Sequence, residues 1–506
     1  MDFTEINTKV KVVASFRPDT DIGHAVMPRR MFYGGREIVF TTLGLYHPTT
    51  KGKRMIHVFD LSDGASDYRL EFDAERLSWT LVAITSCEPP LVMHIDLNSC
   101  FATVEQQARQ CLRGRPLGIT NRISPNCCMI AASIEAKARG VKTGMGRREA
   151  EKICPELIII ETDPPKYHWV YRNLMRIMGS YSPDIKMKSI DEGLIDFHAV
   201  ATTVREKPLV KIGREIKSRL RAEVGDWMKC NVGIGPNRFL AKVAAGLHKP
   251  DGLDIIDHHN LEEVYARLEL TDLTGIGRKL ARRLMQRDIN TPLEFLSASE
   301  PELKQAFASA VHANHWHKRL RGFEVDDWRS RTGQVGRQFV LDQRTNDDAV
   351  LLSRLQYLAQ TSAMKLRAGG HDARGQQVWC TFGDVPTFSN GRPVGFWQTR
   401  RMFATAAYTD QEIFRRAREL FLTRPRRMVT AIGVTCYGLT PTNRAQTSLC
   451  PADHRDANLT HAVDSVNTHF GNFTLTYADA LAGKKVIKQK IPFGSTEYFD
   501  LLISGE

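Results

Sequence analysis

The hydrophobic pattern of residues 91–106 predicts a short buried strand followed by a helix. The segment 91–95 is mostly apolar, and Asp96 interrupts it at its end. The chain then turns through Asn98 and Ser99 into a helix-like segment. A carboxylate at a strand end, just before a helix, points into the crevice where α/β sheets hold ligands. For Asp96 considered alone, a helix-capping role is the simpler interpretation.

A second stretch, residues 189–197, favours a ligand-binding role for Asp96 over helix capping. Asp191 and Glu192 stand side by side in a segment whose apolar residues alternate like those of a strand. Adjacent carboxylates repel each other, which raises at least one pKa unless a cation neutralises them. Together with Asp96 they form the oxygen-donor set that Mg²⁺ prefers. Two such ions can clamp the attacking and leaving oxygens of a phosphoryl or nucleotidyl transfer.

The first 90 residues read as β-rich. Alternating and β-branched runs predict strands at 9–16, 37–45, 54–61, 68–72 and 77–84, the last two joined by a turn at 73–76. Tyr68, Leu70, Phe72 and Trp79 supply a small core. No residue of this segment calls for a particular chemistry. We expect an accessory module rather than a second active site.

Downstream of residue 106, helical and strand patterns alternate. Helices are predicted around 147–155, 167–181 and 211–224, a strand at 184–197, and a strand at 231–235 followed by a helix. Residues 270–325 read as helical, and 326–333 as a polar joint. Beyond the joint the pattern is βαββαβ, with elements at 334–341, 347–367, 376–382, 396–404, 409–422 and 428–436. The tail, 441–506, shows no such clear alternation of elements.

Composition narrows the class of protein. A length of 506 residues favours several domains, and a net charge of +13 fits a polyanionic partner, although charge alone does not separate DNA from RNA or ribosomes. No apolar stretch reaches the roughly 18–20 residues of a membrane span, and the first residues do not resemble a signal peptide. The ten cysteines include no CxxC pair, so a reduced, cytoplasmic protein that contacts no membrane is expected.

Five stretches in order carry a family resemblance: HIDLNSCFATVE, SIEAKARGVKTGM, SIDEGLIDF, NVGIGPNRFLAKVAAGLHKPDG and LTGIGRKLARRL. They resemble the signatures of a Y-family (translesion) DNA polymerase, and the resemblance extends over residues 91–438. It implies an α+β multidomain, right-hand polymerase. Its parts would be palm and fingers at 91–269, a helix-hairpin-helix thumb at 270–325, a little finger at 333–440 and a C-terminal tail at 441–506. Residues 1–90 stand outside the resemblance and would form a β-rich N-terminal accessory domain that binds a partner or contacts DNA.

The resemblance implies a metal site and a steric gate. Asp96, Asp191 and Glu192, with the backbone carbonyl of Leu97, would hold two Mg²⁺ ions and form the catalytic centre. Asn98 stands where many members carry a second aspartate, which is not one of the three metal carboxylates. Phe101 falls at the steric gate that excludes a 2′-hydroxyl; without the resemblance it would read as a core phenylalanine.

The same resemblance implies contacts with the incoming nucleotide. Residues 133–145 would cover it, with Ser99, Cys100, Ile134, Lys137 and Lys249 beside it. Ile134 replaces a tyrosine and Lys137 an arginine that reach the triphosphate. Lysine supplies charge as a point donor rather than a bidentate fork, and isoleucine can only pack, so weaker triphosphate binding is predicted. Lys242 and Lys249, each considered alone, would read as solvated surface charges.

DNA and clamp contacts complete the implied set. Gly275, Gly277, Arg278 and Lys279 would bind phosphate at a helix N-terminus. The little-finger arginines would follow the DNA backbone: Arg400, Arg401, Arg415, Arg416, Arg418, Arg424, Arg426 and Arg427. Gln446 and Leu449, within 446–450, stand where bacterial relatives carry a sliding-clamp peptide, but Cys450 replaces its aromatic residue. A plain polar linker is the alternative for this peptide.

The function implied is template-directed DNA synthesis on damaged templates. Partners would be primer-template DNA, a dNTP and the bacterial sliding clamp, with the chain acting as a monomer. One rival is a non-catalytic, polymerase-like scaffold subunit, although such relatives typically lose the metal carboxylates. The other rival is a nucleotide cyclase, which has no use for a helix-hairpin-helix or a little finger.

Overall fold

The computed structural model describes residues 4–16, 26–34, 36–63, 66–85, 90–124, 127–198, 200, 208–326, 333–383, 388–389, 392–393, 395–442 and 451–487. The chain forms two compact units, Met1–Asp326 and Asp327–Glu506. The boundary between them falls in the polar joint that the sequence predicts at 326–333.

Residues 4–85 form a seven-stranded antiparallel sheet, called here the N-terminal sheet. Its strands are β1 (Thr4–Phe16), β2 (Val26–Tyr33), β3 (Arg36–Val39), β4 (Thr42–Lys51), β5 (Arg54–Ser62), β6 (Asp67–Asp73) and β7 (Ser78–Thr85). They follow in the order β3-β2-β1-β7-β6-β5-β4. Phe59, Leu70 and Leu81 lie in its buried core. The predicted β-rich character is confirmed.

The two edge strands of this sheet are consecutive in the chain. β3 ends at Val39 and β4 begins at Thr42, whereas the sequence predicts one strand over 37–45. The N–H of Phe40 donates to Arg29 at 3.0 Å and the N–H of Thr41 donates to Ser62 at 2.8 Å, which ties the link to strands near both edges. The sheet must therefore curl until its edges approach each other. Strand β2 was not predicted, because Pro28 and two arginines interrupt its apolar alternation.

Up to residue 257, the described residues of the first unit form two further sheets and six helices. The strands are β8 (Val92–Leu97), β9 (Leu117–Thr120), β10 (Ala131–Ala132), β11 (Ile158–Glu161), β12 (Ile185–Met187), β13 (Glu192–Asp196), β14 (Cys230–Gly235) and β15 (Leu253–Ile255). The helices are α1 (Cys100–Ala108), α2 (Ile134–Ala138), α3 (Arg147–Ile153), α4 (Pro164–Gly179), α5 (Leu209–Glu223) and α6 (Arg238–Leu247). β9, β10 and β11 form one sheet in the order β10-β9-β11, in which β9 and β11 are parallel.

The five remaining strands form the central sheet, in the order β12-β13-β8-β14-β15. Helix α6 packs on one face so closely that a Cβ added to Gly233 would lie 2.1 Å from the carbonyl oxygen of Ala241. Helix α4 packs on the opposite face, where a Cβ on Gly193 would lie 2.7 Å from Met178. The sheet is therefore covered on both sides, which explains why the strand segments are nearly continuous apolar runs.

The predicted strand at 184–197 is a hairpin. β12 and β13 pair antiparallel, with Ile185 opposite Ile195. Asp191 lies in the turn that precedes β13 rather than within a strand. The alternation of apolar residues was read correctly on the second arm, but the turn between the arms was missed.

Residues 261–320 form a helical cluster with its own core. Its helices are α7 (Leu261–Ala266), α8 (Arg278–Met285), α9 (Pro292–Ser297), α10 (Glu300–Phe307) and α11 (Ala310–Leu320). Tyr265, Phe295 and Trp316 lie in its core together with Leu240 of α6, so the cluster packs on the helix that covers the central sheet. The predicted helical character of 270–325 is confirmed, and its core extends further upstream than 270.

The second unit contains a four-stranded antiparallel sheet, called the C-terminal sheet, in the order β16-β21-β17-β20. Its elements are β16 (Gln334–Thr345), α12 (Asp348–Ala368), β17 (His371–Phe382), the two-residue strands β18 (Phe388–Ser389) and β19 (Arg392–Pro393), β20 (Phe396–Ala407), α13 (Asp410–Phe421) and β21 (Val429–Pro441). The βαββαβ prediction is confirmed, and β18 and β19 are added between β17 and β20 in the chain.

Two further helices, α14 (Pro451–Phe470) and α15 (Ala478–Val486), pack on the helical side of the C-terminal sheet. Phe473 and Ile487 belong to the same buried core as Val378 of β17. Arg367 of α12 pairs with Asp464 at 2.6 Å and with Asp410 at 2.7 Å, which joins α12, α14 and α13. In the part of the chain that the structure describes, no helix is long and apolar enough to span a membrane.

Candidate active site and nucleic-acid surfaces

Strand pairing brings the three predicted acids together at one end of the central sheet. Glu192 of β13 is the direct partner of Asp96 of β8. The N–H of Leu97 donates to the carbonyl oxygen of Asp191 at 2.8 Å, so the neighbouring acid is fixed to the same strand end. Residues nearly 100 positions apart in the chain thus become neighbours through sheet register.

Two lysines neutralise part of this negative charge. Nζ of Lys242, on α6, donates to both carboxylate oxygens of Glu192 at 2.9 and 2.7 Å. Lys249, just beyond the same helix, forms an ion pair with Asp96. Reading these lysines as solvated surface charges is wrong. Helix α6 delivers both because it packs on the face of the sheet that carries Asp96.

The pKa values of the two adjacent acids move in opposite directions. Burial alone would raise the pKa of Glu192, but His94 and Lys242 outweigh it and hold this pKa at about 2. Burial raises the pKa of Asp191, and the charges of Asp96 and Glu192 raise it further, against the hydroxyl of Ser189. An added cation would therefore stabilise the ionised form of Asp191.

His94 is a functional neighbour that the sequence reasoning missed. Its side chain is buried, and Nε2 lies 3.3 Å from Oε2 of Glu192. The signal was present, because residues two apart on a strand share a face and His94 precedes Asp96 by two.

The donor set fits a hard divalent cation. Among the described residues, no three acidic, histidine or cysteine side chains meet around a common point. Two of the three carboxylates are paired with lysines instead. Carboxylate oxygens are nevertheless the ligands that Mg²⁺ prefers, and a buried Asp191 with a raised pKa is stabilised by such an ion.

Helix α1 begins beside these acids. Ser99 adopts a left-handed conformation with φ 47°, and Cys100, the first helical residue, is buried. Burial raises the pKa of Cys100 well above its usual range, and the charges of Asp191 and Asp96 add to this effect. The thiol is therefore held neutral next to the acids.

Phe101 lies on the same helix and is only 7% exposed. Its ring stacks on Tyr167 of α4 with 4.6 Å between centroids. The hydroxyl of Tyr167 donates to the fully buried Glu105 at 2.9 Å, and Lys166 also contacts this carboxylate, at 2.8 Å. Helices α1 and α4 thus hold the phenylalanine ring in one orientation.

Helix α2 places Lys137 near the acids. Burial lowers the pKa of Lys137, the ammonium group of Lys249 lowers it further, and Asp96 and Asp191 act in the opposite direction. This mutual influence means that two lysines and two acids share one electrostatic environment. Ile134, the first residue of α2, is half-buried and offers only an apolar surface.

The glycine turn before α8 is an exposed basic element. Gly275 has φ +97°, a conformation that favours glycine, and Gly277 is the N-cap of α8. Arg278 and Lys279, in the first turn of α8, are exposed to solvent, as are Arg282 and Arg283.

The predicted arginine surface of the second unit needs correction. Arg416 is fully buried and bonds Glu412 at 2.6 Å, and Arg424 is buried in an ion pair with Asp348. A buried, paired guanidinium cannot follow a phosphate backbone, so these two arginines serve the fold. The other six arginines of the predicted set are exposed: Arg400, Arg401, Arg415, Arg418, Arg426 and Arg427.

The face of the C-terminal sheet opposite its helices carries two aromatic rings lying flat. A Cβ on Gly433 would lie 2.3 Å from the ring of Trp379, and one on Gly375 would lie 2.3 Å from the ring of Tyr437. Arg400 of β20 lies opposite Gln377 of β17 in the strand register. Gln446 and Leu449, the predicted clamp contacts, lie outside the described residues.

Comparison with known proteins gives a consistent result. Residues 95–246 match the impB/mucB/samB family, and residues 333–449 match the C-terminal domain of the same family. The chain is 31% identical over 408 residues to DNA polymerase IV of Moorella thermoacetica, covering 78% of this chain and 97% of that protein. It is 29% identical over 407 residues to DNA polymerase IV of Pelotomaculum thermopropionicum, covering 79% of this chain and 97% of that protein.

The fold has a solved counterpart. A Y-family DNA polymerase chimera of Dbh and Dpo4 superimposes with a TM-score of 0.58 and 24% sequence identity, covering 69% of this chain and 98% of that one. This likeness concerns the fold alone.

The carboxylate cluster generates a prediction about metal binding. Mn²⁺ added to the protein without DNA or nucleotide should bind Asp191→Asn at least about tenfold more weakly than wild type, because about 1.4 kcal/mol is lost with the charge. Free Mn²⁺ can be measured by electron paramagnetic resonance. Glu262→Gln, an exposed acid at the start of α7, is the control and should bind as wild type does. Equal affinity in Asp191→Asn would place the ion elsewhere.

Proposed function

The chain belongs to the Y family of translesion DNA polymerases, and on that basis we propose that it extends primers by two-metal nucleotidyl transfer centred on Asp96, Asp191 and Glu192. It is a DNA-directed DNA polymerase. The observation that carries the proposal is the pairing of Glu192 with Asp96 across adjacent strands, with Asp191 tied to the same strand end.

In this proposal the first unit contains the N-terminal domain at 1–90, the palm and fingers at 91–269 and the thumb at 270–325. The little finger occupies 333–440 in the second unit, followed by the tail at 441–506. The central sheet is the palm, and the helical cluster supplies the thumb.

The three carboxylates, with the backbone carbonyl of Leu97, would hold the metal ions. Bound there, Mg²⁺ activates the attacking 3′-oxygen of the primer and stabilises the leaving oxygen of pyrophosphate. His94 and Lys242 keep Glu192 ionised, so it is ready to accept a cation at neutral pH. The pKa of Asp191 is raised, so an arriving cation would favour its ionised form.

Lys137 and Lys249 would bind the triphosphate of the incoming dNTP. Their support is the electrostatic environment that they share with Asp96 and Asp191. Ser99 and Cys100, at the start of α1, would border the nucleotide, and Phe101 would pack against its sugar. The stacking on Tyr167 keeps the ring of Phe101 rigid, which a steric gate requires.

DNA would be gripped by two sequence-independent surfaces. In the thumb, Gly275 and Gly277 allow close approach of a phosphate to the N–H groups that open α8, and Arg278 and Lys279 add charge. In the little finger, Arg400 and the flat rings of Trp379 and Tyr437, which share one face of the sheet, would contact the duplex.

The rival functions fit less well. Three mutually repelling carboxylates cost stability, and a scaffold subunit has no function that would favour keeping them. A nucleotide cyclase has no use for the basic thumb or the little finger. A primer-extension assay with Mg²⁺ separates these functions from polymerisation.

Asp191→Ala and Glu192→Ala should each reduce primer extension by at least about 1,000-fold, since about 4 kcal/mol of transition-state stabilisation is lost. Binding of primer-template DNA should persist, because the basic thumb and little finger supply it. Extension is measured on a labelled primer, with Glu262→Ala as the control. Near wild-type extension by either variant would exclude this metal site.

Phe101→Ala should raise ribonucleotide incorporation relative to dNTP, because the clash with a 2′-hydroxyl disappears without any new chemistry. The quantity to measure is the ratio of kcat/KM for an rNTP to that for the matching dNTP. Phe239→Ala, a similarly buried phenylalanine on α6, controls for loss of packing. An unchanged ratio would return Phe101 to the role of a core residue.

Ile134→Tyr should lower the KM for dNTP about three- to tenfold, since a new hydrogen bond to the triphosphate contributes roughly 1 kcal/mol. Ile134→Phe adds the ring without the hydroxyl and should leave KM near the wild-type value. Steady-state kinetics on an undamaged template provide the comparison. Equal KM values for the tyrosine and phenylalanine variants would mean that residue 134 does not reach the triphosphate.

The peptide 446–450 is proposed to dock on a bacterial sliding clamp. Gln446→Ala combined with Leu449→Ala should leave extension without clamp unchanged and abolish stimulation by clamp, because short peptides bind through a few anchors. The tether acts through effective concentration, since the enzyme already sits on DNA. Thr447→Ala with Ser448→Ala is the control. Stimulation that survives the first pair of changes would move the contact to another part of the chain.

A further inference from the structure

The N-terminal sheet lies outside both ranges that match the family, yet its core contains a residue from the far end of the first unit. Phe323 is 1% exposed and belongs to the buried cluster formed by Phe59, Leu70 and Leu81 of the sheet. More than 200 residues separate it from that sheet in the chain. The sheet is therefore incomplete without the segment that follows α11.

A second contact joins the same two elements. Lys318, in the last turn of α11, donates from Nζ to the carbonyl oxygen of Ile6 in β1 at 3.2 Å. Its side chain is 9% exposed, and burial lowers its pKa. A buried ammonium group is costly without a partner, so this hydrogen bond fixes where the sheet can dock.

The palm holds this segment from another side. Nδ2 of Asn237, the N-cap of α6, donates to the carbonyl oxygens of Arg319 at 2.9 Å and Phe323 at 3.0 Å. The guanidinium group of Arg238 donates to the carbonyl oxygen of Asp326 at 2.8 Å. Residues 318–326, called here the thumb root, are thus fixed between the N-terminal sheet and α6.

The thumb root continues directly into the thumb core. Trp316 and Leu320 of α11 are buried in the same cluster as Ile276, of the glycine turn, and Leu284, of α8. The aromatic ring of Trp316 lies 3.4 Å from the position that a Cβ on Gly275 would take. A displacement of α11 is therefore transmitted by close packing to the turn that presents Arg278 and Lys279.

We propose that residues 4–85 act as a brace for the thumb: by holding the thumb root through Lys318 and Phe323, the sheet determines how firmly the enzyme grips primer-template DNA. The sheet itself neither contacts DNA nor takes part in the chemistry. This role rests on the proposed contact between DNA and the glycine turn of the thumb.

The test uses the full-length protein and separates DNA grip from chemistry. Lys318→Met should raise the Kd for primer-template DNA roughly three- to tenfold, because the sheet docks less firmly and α8 is held less well. The single-turnover rate at saturating DNA should stay at the wild-type value. Lys318→Arg, which can still donate to a carbonyl, should restore the wild-type Kd. Lys304→Met, an exposed lysine of α10, should have no effect.

Phe323→Ala provides an independent variant, with folding checked by circular dichroism. It should weaken DNA binding more than Lys318→Met and make the N-terminal sheet more susceptible to limited proteolysis. If limited proteolysis shows that the sheet has undocked while the Kd for primer-template DNA is unchanged, the brace is overturned.

Lys11→Glu, an exposed residue of β1, tests direct contact with DNA. If the sheet acts as a brace, the Kd for primer-template DNA should not change. A higher Kd would overturn the brace and would indicate that the sheet itself binds DNA. Arg278→Glu with Lys279→Glu tests the thumb contact itself. If that pair weakens binding while Lys318→Met and Phe323→Ala do not, the brace alone fails. If none of these changes weakens binding, the proposed thumb contact fails with it.

Discussion

The negative charge gathered at one end of the central sheet is the constraint on which the rest of the first unit depends. Asp96 and Glu192 are paired on the neighbouring strands β8 and β13. The N–H of Leu97, the next residue of β8, donates to the carbonyl oxygen of Asp191. Three carboxylates so close together are tolerated only if cations accompany them. Helix α6 meets this need with Lys242, and its tight packing over Gly233 explains why the lysine arrives on the correct face. In the proposed mechanism this negative charge attracts the metal ions, whereas the neighbouring lysines attract the triphosphate.

Local patterns predicted most of the fold because they reflect periodicities of two and 3.6 residues. Strand β8, helix α1 and the βαββαβ order of the second unit follow from alternation and length alone. Failures occurred where a local signal was weak or misleading. Strand β2 was not predicted, because Pro28 interrupts its apolar alternation. The turn at Asp191 was predicted as part of one long strand. The edge strands β3 and β4, which end and begin on either side of Phe40, were predicted as a single strand.

Long-range partners were beyond the reach of sequence patterns. The acids were found because their chemical type is unusual within apolar strands, whereas His94 and Lys242 are ordinary residues until register and helix packing place them beside Glu192. The buried Arg416 looked like a surface cation because its neighbours are basic. Phe323 was invisible as a core residue of the N-terminal sheet, since nothing in its local segment distinguishes it from a thumb residue.

We propose that Asp96, Asp191 and Glu192 hold metal ions when the substrates bind, and that Lys249 then leaves Asp96. A crystal structure with primer-template DNA, Mg²⁺ and a non-hydrolysable dNTP analogue tests this proposal. Two cations held by the three carboxylates are expected, with Lys249 released from Asp96 and placed on the triphosphate. Cations bound elsewhere, with Lys249 still paired to Asp96 in the complete complex, would contradict it.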